Sequence, residues 1–334
     1  MKIAINGFGR IGRTFFRAAH ELDLDIVAIN DLGELKTLAH LLKHDSTYGL
    51  FDGEVLVAAD TLKVNGKEIK FSQIEEPEKL PWRDLDVDVV VESTGVFTEK
   101  EKAEAHITAG AKYVIITAPC KGETPVKTIV LGVNEEEFTP EDKIISMASC
   151  TTNCLTPVAK VLNDEFGIQK AMMSTIHSYT MDQVLQDSPH KDLRRARAAL
   201  QSIIPTTTGA TKATAEVIPD LKDKMDGVSF RVPTPTVSIV DFVALLKKDT
   251  NIEEINNAFK KASQDSKMRG ALTVTEEELV SADFRGNPNA SIVDLTSTQV
   301  VDGNLVKVLA WYDNELGYSY RLAAFCDYLE NKIN

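Results

Sequence analysis

The chain has few cysteines, fewer basic than acidic residues, and no long run of apolar residues. Lys and Arg number 37 against 50 Asp and Glu, so the formal net charge is −13. Because nucleic acids and anionic membranes bind basic surfaces, we expect no dedicated surface for either partner. No apolar run reaches the roughly 18 residues of a membrane span, so no spanning helix is predicted.

The four cysteines are too few to form a disulfide framework in 334 residues. They include no CxxC pair, so we predict no metal centre. The first strand-like run, residues 2–6, is not preceded by the segments of a secretory signal, and a cytoplasmic protein is therefore expected. At about 150 residues per domain, this length favours two domains.

The pattern of apolar residues changes near residue 150. Before it, strands and helices alternate, with strands predicted at 2–6, 26–30, 87–91, 113–116, 128–133 and 143–146 and helices at 10–21 and 99–109. After it come long β runs at 171–179, 228–246, 290–300 and 305–312, with helices at 153–164, 212–221, 252–262 and 319–332. Pro157 is expected in a first helical turn. We predict an α/β protein, a mostly parallel sheet domain followed by an α+β domain with a mixed or antiparallel sheet.

A glycine-rich turn at residues 6–12 joins the first strand to the first helix and contains G-x-G-x-x-G. In such a turn Gly7 permits the tight bend, Gly9 lets a diphosphate approach the backbone, and Gly12 lets the helix pack on the strand. Free N–H groups at the helix start favour phosphate. Asp31, after the second strand, would accept hydrogen bonds from a ribose. The pattern predicts a Rossmann-type dinucleotide site, with incidental glycines as the alternative.

The carboxylate of Asp31 also bears on the choice of dinucleotide. A 2′-phosphate at the ribose would meet a like charge there. The next residue, Leu32, offers no hydrogen-bond donor to such a phosphate. The sequence therefore predicts NAD rather than NADP.

Cys150 lies in the stretch Ser-Cys-Thr-Thr-Asn-Cys at residues 149–154, at the predicted domain junction and directly before a helix. The helix dipole stabilises a thiolate at a helix start, so we predict a lowered pKa for the Cys150 thiol and a nucleophilic thiolate. An inert, packed cysteine is the alternative. We interpret Cys120, Cys154 and Cys326 as inert, packed cysteines.

A thiol nucleophile needs a base, and His177 is the candidate because it lies inside an apolar β run. A core histidine bonded to backbone is the alternative interpretation. The histidines in predicted helices or at their ends are expected at the surface: His20, His40, His44 and His106.

Three features of the second half predict anion binding. Arg194, Arg195 and Arg197 lie within four residues, although a solvated loop or a subunit contact would explain them equally. Residues 205–210 offer hydroxyl and N–H groups just before a helix, as in an anion nest. Arg231 lies inside a predicted strand, and a buried arginine needs an anionic partner, either a protein carboxylate or a substrate phosphate.

The stretches 4–13 and 148–155 together resemble the phosphorylating glyceraldehyde-3-phosphate dehydrogenase family. The resemblance continues through further short stretches and covers essentially the whole chain: 30–31, 40–43, 92–95, 192–199, 208–209 and 311–315. It implies an NAD-binding domain of residues 1–149 plus 315–334, a catalytic domain of residues 150–314, and a homotetramer.

The resemblance also implies a chemistry. Cys150 would attack the aldehyde carbon of glyceraldehyde 3-phosphate, and His177 would raise its nucleophilicity and take the hydroxyl proton as hydride leaves for NAD⁺. Inorganic phosphate would then cleave the thioester to give 1,3-bisphosphoglycerate. The Cys150 N–H would help to stabilise the oxyanion.

Matching positions carry over further roles. Thr180 and Arg231 would bind the substrate phosphate. Residues for inorganic phosphate would be Ser149, Thr151, Thr208, Gly209 and one loop arginine, for which Arg195 fits the family spacing best and Arg194 and Arg197 remain open. The cofactor would meet the Arg10 and Ile11 N–H groups, Thr117 near the nicotinamide, and Asn314 at the carboxamide.

Two positions depart from the family pattern, and three rival functions remain. Glu75 occupies a position where the family often has arginine, and its negative charge disfavours a 2′-phosphate. At Ser188-Pro189 the chain has the proline of NAD-specific members but serine in place of their leucine.

The nearest rival function is that of erythrose-4-phosphate dehydrogenase, against which Thr180 and Thr208-Gly209 argue. The others are a semialdehyde dehydrogenase and a non-catalytic protein, either a binding or adhesion protein or a structural NAD-binding protein, which would not require His177 or Arg231.

Overall fold

The computed structural model describes residues 1–333, in which the chain forms two units. The first unit comprises Met1–Ile129, Glu136–Ala148 and the chain from Leu322 onward, and the second comprises Val130–Glu135 and Ser149–Arg321. Within these described residues, no helix has both the length and the apolar character needed to cross a membrane.

The first unit contains eleven strands and three complete α-helices in the part that the structure describes. The strands are β1 (Lys2–Asn6), β2 (Asp25–Asn30), β3 (His44–Asp45), β4 (Gly49–Leu50), β5 (Val55–Ala58), β6 (Thr61–Val64), β7 (Lys67–Ser72), β8 (Val89–Glu92), β9 (Tyr113–Ile116), β10 (Lys127–Thr128) and β11 (Ile144–Ser146). The helices are α1 (Arg10–Glu21), α2 (Leu35–Lys43) and α3 (Lys100–Thr108).

The sheet of the first unit has the strand order β10-β11-β9-β8-β1-β2-β7-β6-β5. Every pairing from β10 to β7 is parallel, and β7, β6 and β5 form antiparallel hairpins. Strands β1, β8 and β9 are almost wholly buried, as expected for parallel strands covered by helices. The antiparallel addition was not predicted, because β5 and β7 are short and carry many exposed residues, so they lack the apolar run that marks a buried strand.

The second unit begins with the helix that carries Cys150. Its elements are α4 (Cys150–Phe166), β12 (Ile168–Ser178), β13 (Ile204–Thr206), α5 (Ala210–Val217), β14 (Met225–Val232), β15 (Ser238–Leu246), α6 (Ile252–Gln264), β16 (Leu272–Thr275), β17 (Ser291–Val301) and β18 (Leu305–Tyr312). A last helix, α7 (Leu316–Ile333), begins in this unit. The strand order is β13-β14-β12-β15-β18-β17-β16, with β12–β14 and β16–β17 parallel and the other pairings antiparallel. The predicted fold class is confirmed.

Helix α4 corrects the prediction for Pro157. The helix begins at Cys150, three residues before the predicted start, and Pro157 lies in its interior rather than in its first turn. An interior proline removes a backbone hydrogen bond and costs about 3 kcal/mol. Burial offsets this cost, because Leu155, Val158 and Leu162 are each 0% exposed and each contributes about 1.5–3 kcal/mol.

Two predicted strands were also wrong in extent. Of residues 128–133, only Thr128 lies in a strand, β10 (Lys127–Thr128). The chain turns after it, because Gly132 takes a left-handed φ of 88° and the Val133 N–H bonds to the Val130 carbonyl at 3.1 Å. The run 228–246 is two strands rather than one. Its middle contains Pro233 and Pro235, which cannot donate to a sheet ladder, so the chain turns there.

His106 was predicted at the surface, and this prediction is wrong. Its side chain is 0% exposed, on α3. Trp82 Nε1 donates to His106 Nδ1 at 3.0 Å, and the Nε2 atom lies 3.1 Å from an oxygen of the buried Glu92. The ring is buried because both of its nitrogens have protein partners there.

Candidate active site

The nucleophile candidate is the first residue of α4. Ser149 caps this helix, since its hydroxyl oxygen accepts the Thr152 N–H at 3.1 Å. Cys150 Sγ lies 3.5 Å from His177 Nε2. The sequence predicted a thiol and an imidazole separated by 27 residues, and the fold of the second unit brings the two side chains into contact.

The sheet positions the histidine and an arginine side by side. Strands β12 and β14 are parallel, and their register pairs His177 directly with Arg231. His177 Nδ1 lies 2.7 Å from the Ser178 carbonyl oxygen, which only accepts, and 2.9 Å from Arg231 Nη1, which only donates. Because the carbonyl is the closer partner and Arg231 Nη1 can donate to the same carbonyl at 3.2 Å, we assign the hydrogen to Nδ1. The lone pair of Nε2 is therefore directed at Cys150 Sγ, as a general base requires.

The electrostatics of this pair favour neutral groups. Burial, together with the Arg231 guanidinium, lowers the pKa of His177 to about 3. Burial raises the pKa of the Cys150 thiol, while Arg231 acts in the opposite direction. The prediction that the helix dipole gives Cys150 a lowered pKa is therefore wrong for this structure, since desolvation of the thiolate outweighs the dipole. With these pKa shifts, the imidazole and the thiol are both uncharged at neutral pH.

Arg231 forms no ion pair with a carboxylate within residues 1–333, although the nearby Asp182 carboxylate acts to raise its pKa against the lowering effect of burial. Its Nη1 atom lies 2.9 Å from His177 Nδ1 and donates to the Ser178 carbonyl at 3.2 Å. Its Nε is buried without a hydrogen-bond partner. The sequence offered two partners for Arg231, a protein carboxylate or a substrate phosphate, and the described residues form no ion pair with it. A largely buried guanidinium without an ion-pair partner favours binding of an external anion.

Tyr312 fixes the start of α4 against the sheet. Its hydroxyl lies 2.9 Å from the Thr151 hydroxyl and 2.9 Å from the Thr175 hydroxyl. Its ring also meets that of His177 edge-on, with centroids 6.0 Å apart. The hydroxyl of Thr151, a candidate phosphate ligand, is thus engaged inside the protein. Sequence reasoning missed Tyr312 and Thr175, since no linear spacing relates them to Cys150.

The arginine-rich loop places its three arginines differently. Arg195 is partly buried, and its Nε donates to the Thr206 hydroxyl at 2.9 Å. It also pairs with Asp182, which accepts the Thr180 hydroxyl as well. Arg197 is exposed and pairs with Asp187 at 2.9 Å, and Arg194 is exposed. Of the three, Arg195 is therefore the one fixed beside Thr180.

Two further phosphate candidates lie at the start of α5. Gly209 is the residue before the helix, and the Thr208 hydroxyl accepts the Ala210 N–H at 3.2 Å. Gly209 is exposed, and no atom lies within 4 Å of where its Cβ would be. The next two N–H groups of this helix, those of Thr211 and Lys212, have no intrahelical acceptor, so they could serve an anion.

Asn314, the candidate carboxamide ligand, lies just after β18 in the second unit. It is 5% exposed, and its Oδ1 accepts the Ser238 hydroxyl at 2.8 Å. The orientation of its amide is therefore determined by a neighbour that the sequence did not single out.

The glycine-rich turn lines a pocket of about 360 Å³ within the first unit, together with Asp31, Leu32, Glu75 and Phe97. Gly7 has a φ of 89°, and a Cβ there would lie 2.7 Å from the Thr94 nitrogen. At Gly12 a Cβ would lie 2.1 Å from the Gly7 oxygen. Any side chain at either position would disturb the contact between the turn and its neighbours.

The residues of this pocket fit a dinucleotide. A Cβ at Gly9 would meet nothing within 4 Å, so the space beside the helix start is open to a diphosphate. The N–H groups of Arg10 and Ile11 lie in the first turn of α1, where they lack intrahelical acceptors. Asp31 accepts the Phe8 N–H at 2.6 Å and the Gly33 N–H at 2.7 Å. Its carboxylate keeps further lone pairs for ribose hydroxyls.

Thr117 directly follows β9 in the first unit. It is partly buried, and its N–H donates to the Glu92 carbonyl at 3.1 Å. The hydroxyl has no protein partner within residues 1–333, which leaves it available to a ligand.

Comparisons with known proteins agree across the chain. The family model described as "Glyceraldehyde 3-phosphate dehydrogenase, NAD binding domain" matches residues 1–100, and "Glyceraldehyde 3-phosphate dehydrogenase, C-terminal domain" matches residues 149–314. The glyceraldehyde-3-phosphate dehydrogenase of Geobacillus stearothermophilus is 54% identical over 334 residues, with 99% of each chain covered. Glyceraldehyde-3-phosphate dehydrogenase 1 of Bacillus subtilis is 52% identical, again with 99% of each covered. The Borreliella burgdorferi enzyme is 53% identical, covering 96% of this chain and 97% of its own.

Proposed function

The chain belongs to the glyceraldehyde-3-phosphate dehydrogenase family, and on that premise we propose that it oxidises glyceraldehyde 3-phosphate with NAD⁺ and inorganic phosphate through a thioester on Cys150. The observation that carries this proposal is the contact of Cys150 Sγ with His177 Nε2 at 3.5 Å, beside a guanidinium that forms no ion pair with a carboxylate in the described chain. A thiol, a base and an anion site together are what such a substrate requires.

The first step joins the thiol to the aldehyde. His177 Nε2 accepts the thiol proton as Cys150 Sγ attacks the carbonyl carbon, and returns it to the oxygen of the thiohemiacetal. The Cys150 N–H is the first of α4 and has no intrahelical acceptor, so it donates to the developing oxyanion. Arg231 and Thr180 hold the substrate phosphate and orient the aldehyde toward Sγ.

The second step oxidises the thiohemiacetal to a thioester. NAD⁺, when bound, supplies the hydride acceptor. His177 Nε2 takes the hydroxyl proton again as the carbonyl reforms, and proton transfer of this kind contributes about 10²- to 10⁴-fold in rate. Inorganic phosphate, held by Arg195, Thr208, Gly209 and the helix start at Ser149 and Thr151, attacks the thioester carbon, and the Cys150 thiolate leaves.

We propose residues 1–149 with 315–334 as the NAD-binding domain and residues 150–314 as the catalytic domain. These bounds differ from those of the two units at Val130–Glu135, at Ser149 and at residues 315–321, which include the first turns of α7. Arg10, Ile11 and the glycines 7, 9 and 12 would accommodate the diphosphate, Asp31 the ribose, Thr117 the nicotinamide end, and Asn314 the carboxamide. Glu75 lines the same pocket as Asp31. Two carboxylates there would repel a 2′-phosphate, which supports NAD over NADP.

We propose a homotetramer because the second unit exposes many apolar side chains. Met181, Leu193 and Leu185 are 86%, 83% and 72% exposed, and Ile203 and Met172 are 69% and 62% exposed. One face of the seven-stranded sheet is also left without helices, as the half-exposed residues of β15 and β18 alternate with buried ones. Exposed apolar surface of this kind marks association sites. Light scattering on the purified protein tests the assembly.

The four cysteines are free in this structure. A reactive, unpaired thiol functions where thiols are kept reduced. We therefore propose a cytoplasmic enzyme, which fractionation of cells with an antibody against the chain would test.

A steady-state assay tests the proposed reaction. NADH formation is followed with glyceraldehyde 3-phosphate and NAD⁺, with and without inorganic phosphate, and in parallel with erythrose 4-phosphate and with NADP⁺. We expect rapid, phosphate-dependent turnover of the triose with NAD⁺. Preference for erythrose 4-phosphate, or turnover that ignores inorganic phosphate, would overturn the proposal.

A further inference from the structure

The side-chain amide of Asn314 is held at one end only. Its Oδ1 accepts the Ser238 hydroxyl at 2.8 Å. Its Nδ2 donates to no protein atom in the part of the chain that the structure describes, although the residue is only 5% exposed. The amide therefore has two hydrogen-bond donors on Nδ2 for a ligand, while its Oδ1 is turned toward Ser238.

The direction of each hydrogen bond around Ser238 follows from its partners. The Ser178 N–H is only a donor, and it bonds to Ser238 Oγ at 3.1 Å. Since Ser238 Oγ accepts there, its own hydrogen is available for Asn314. That hydrogen needs an acceptor, and the only acceptor of the Asn314 side chain is Oδ1. In the described residues this hydrogen has no other acceptor, so the amide orientation with Oδ1 toward Ser238 is the one that satisfies both groups.

Ser238 is itself fixed by the backbone before it. It is the first residue of β15, and Val237 precedes it with a left-handed φ of 68°. For a β-branched residue this conformation is an outlier that the surroundings must enforce. Ser178 does so, because its hydroxyl donates to the Val237 carbonyl at 2.8 Å. All three residues are buried.

We propose that Ser238 is a positioning residue that fixes the Asn314 amide so that it selects a carbonyl oxygen on the bound ring. This rests on the proposed function, in which that oxygen belongs to the nicotinamide carboxamide. Ser178 links this arrangement to the base. Its carbonyl accepts the His177 Nδ1–H and its N–H is bonded by Ser238, so one peptide segment orients both the imidazole and the amide.

Equilibrium binding tests the proposal without any turnover. Titration calorimetry would measure NAD⁺ and ADP-ribose, which lacks the nicotinamide ring, with the wild type and Ser238→Ala. The loss of one oriented hydrogen bond should weaken NAD⁺ binding roughly five- to tenfold. ADP-ribose affinity should not change, which also shows that the variant is folded.

Ser229→Ala is the matched control. Ser229 is likewise a buried serine, 3% exposed, on strand β14 of the same sheet, and its hydroxyl is without a hydrogen-bond partner in residues 1–333. It should bind NAD⁺ as the wild type does. Asn314→Ala should weaken NAD⁺ binding at least as much as Ser238→Ala. Adding Ser238→Ala to Asn314→Ala should have no further effect, because the amide to be oriented is gone.

The analogue 3-acetylpyridine adenine dinucleotide tests the orientation itself, since it keeps the carbonyl oxygen and lacks the amide nitrogen. The wild type should bind it within about threefold of NAD⁺, and Ser238→Ala should weaken both alike. Equal NAD⁺ affinities in Ser238→Ala and wild type, or additive effects in the double variant, would overturn the proposal. If the wild type bound no NAD⁺ at all, the proposed function would fail instead.

Discussion

The two candidate sites of this protein are built in different ways. The pocket of the first unit is formed largely by backbone, with glycines that lack side chains and N–H groups at the start of α1 that lack intrahelical acceptors, beside the carboxylates of Asp31 and Glu75. The site of the second unit is formed by side chains from α4, β12, β14 and β18, which are distant in the sequence. A backbone site tolerates almost no added atom, whereas a side-chain site depends on which functional groups are present.

This difference predicts two kinds of failure. Substitutions in the first unit should act sterically, because an added side chain occupies space that the ligand or the backbone needs. They should therefore lower the affinity for NAD⁺ or the free energy of unfolding. Substitutions in the second unit should remove a reacting or hydrogen-bonding group, and they should therefore lower kcat. The following variants test that division, beginning with the largest expected effect.

Replacing the nucleophile should abolish catalysis without affecting cofactor binding. Cys150→Ser should lower kcat by about 10⁴-fold or more, since a hydroxyl beside a neutral imidazole is a far weaker nucleophile. Calorimetry should show unchanged NAD⁺ affinity. Cys154→Ser is the control, a cysteine on the same helix whose Sγ lies 3.7 Å from the Ser291 hydroxyl, away from His177. Comparable loss in both variants would show that Cys150 is structural.

Removing the base should have the next largest effect. His177→Asn should lower kcat by about 10²- to 10³-fold, the usual contribution of a general base. Alkylation of Cys150 by iodoacetamide should also slow at neutral pH and recover only at alkaline pH. The pKa of the Cys150 thiol is already raised in the wild type, so at neutral pH the thiol must lose its proton as it reacts. Without His177 Nε2 to accept that proton, only the thiolate formed at alkaline pH would react.

His44→Asn is the matched control for this experiment, since His44 is exposed and belongs to the first unit. It should keep the alkylation profile of the wild type. An unchanged profile in His177→Asn would show that the contact with Cys150 serves packing only.

Adding one methyl group to the glycine-rich turn should separate affinity from stability. Gly9→Ala meets no protein atom, so the protein should keep its melting temperature but bind NAD⁺ about tenfold or more weakly, because the methyl occupies the space for the diphosphate. Gly7→Ala should instead lower the free energy of unfolding by about 1–3 kcal/mol, since its φ is 89°. Equal behaviour of the two variants would contradict the assignment of Gly9 to the diphosphate.

The smallest expected effect comes from the hydroxyl that joins α4 to the sheet. Tyr312→Phe removes it and leaves the Thr151 and Thr175 hydroxyls without that partner. We expect kcat to fall by about three- to tenfold with an unchanged KM for NAD⁺, because one hydrogen bond contributes about 1 kcal/mol. A raised KM for NAD⁺ with full kcat would place Tyr312 in cofactor binding instead.

The same contrast explains how far sequence reasoning succeeded. Strand β1 and helix α1 were predicted with their exact bounds, because a local apolar pattern and the glycines between them determine both. The start of α4 was missed, since the burial that supports Pro157 inside the helix is a tertiary effect. His106 was placed at the surface because Glu92 and Trp82, which bury it, come from distant segments.

In the second unit, Cys150, His177 and Arg231 were identified, but nothing in their spacing showed that they meet. Their contact depends on the register between β12 and β14, which a sequence does not display. Ser238 and Tyr312 were missed for the same reason. The raised pKa of Cys150 was mispredicted because the helix start is visible in the sequence and the desolvation is not.

The central claim is that the side-chain site forms a thioester that only phosphate releases. Rapid mixing of the enzyme with glyceraldehyde 3-phosphate and NAD⁺, without inorganic phosphate, tests this most directly. We predict a burst of about one NADH per Cys150 followed by a near stop, and full turnover when phosphate is added. Continuous turnover without phosphate, or a burst of the same size in Cys150→Ser, would contradict it.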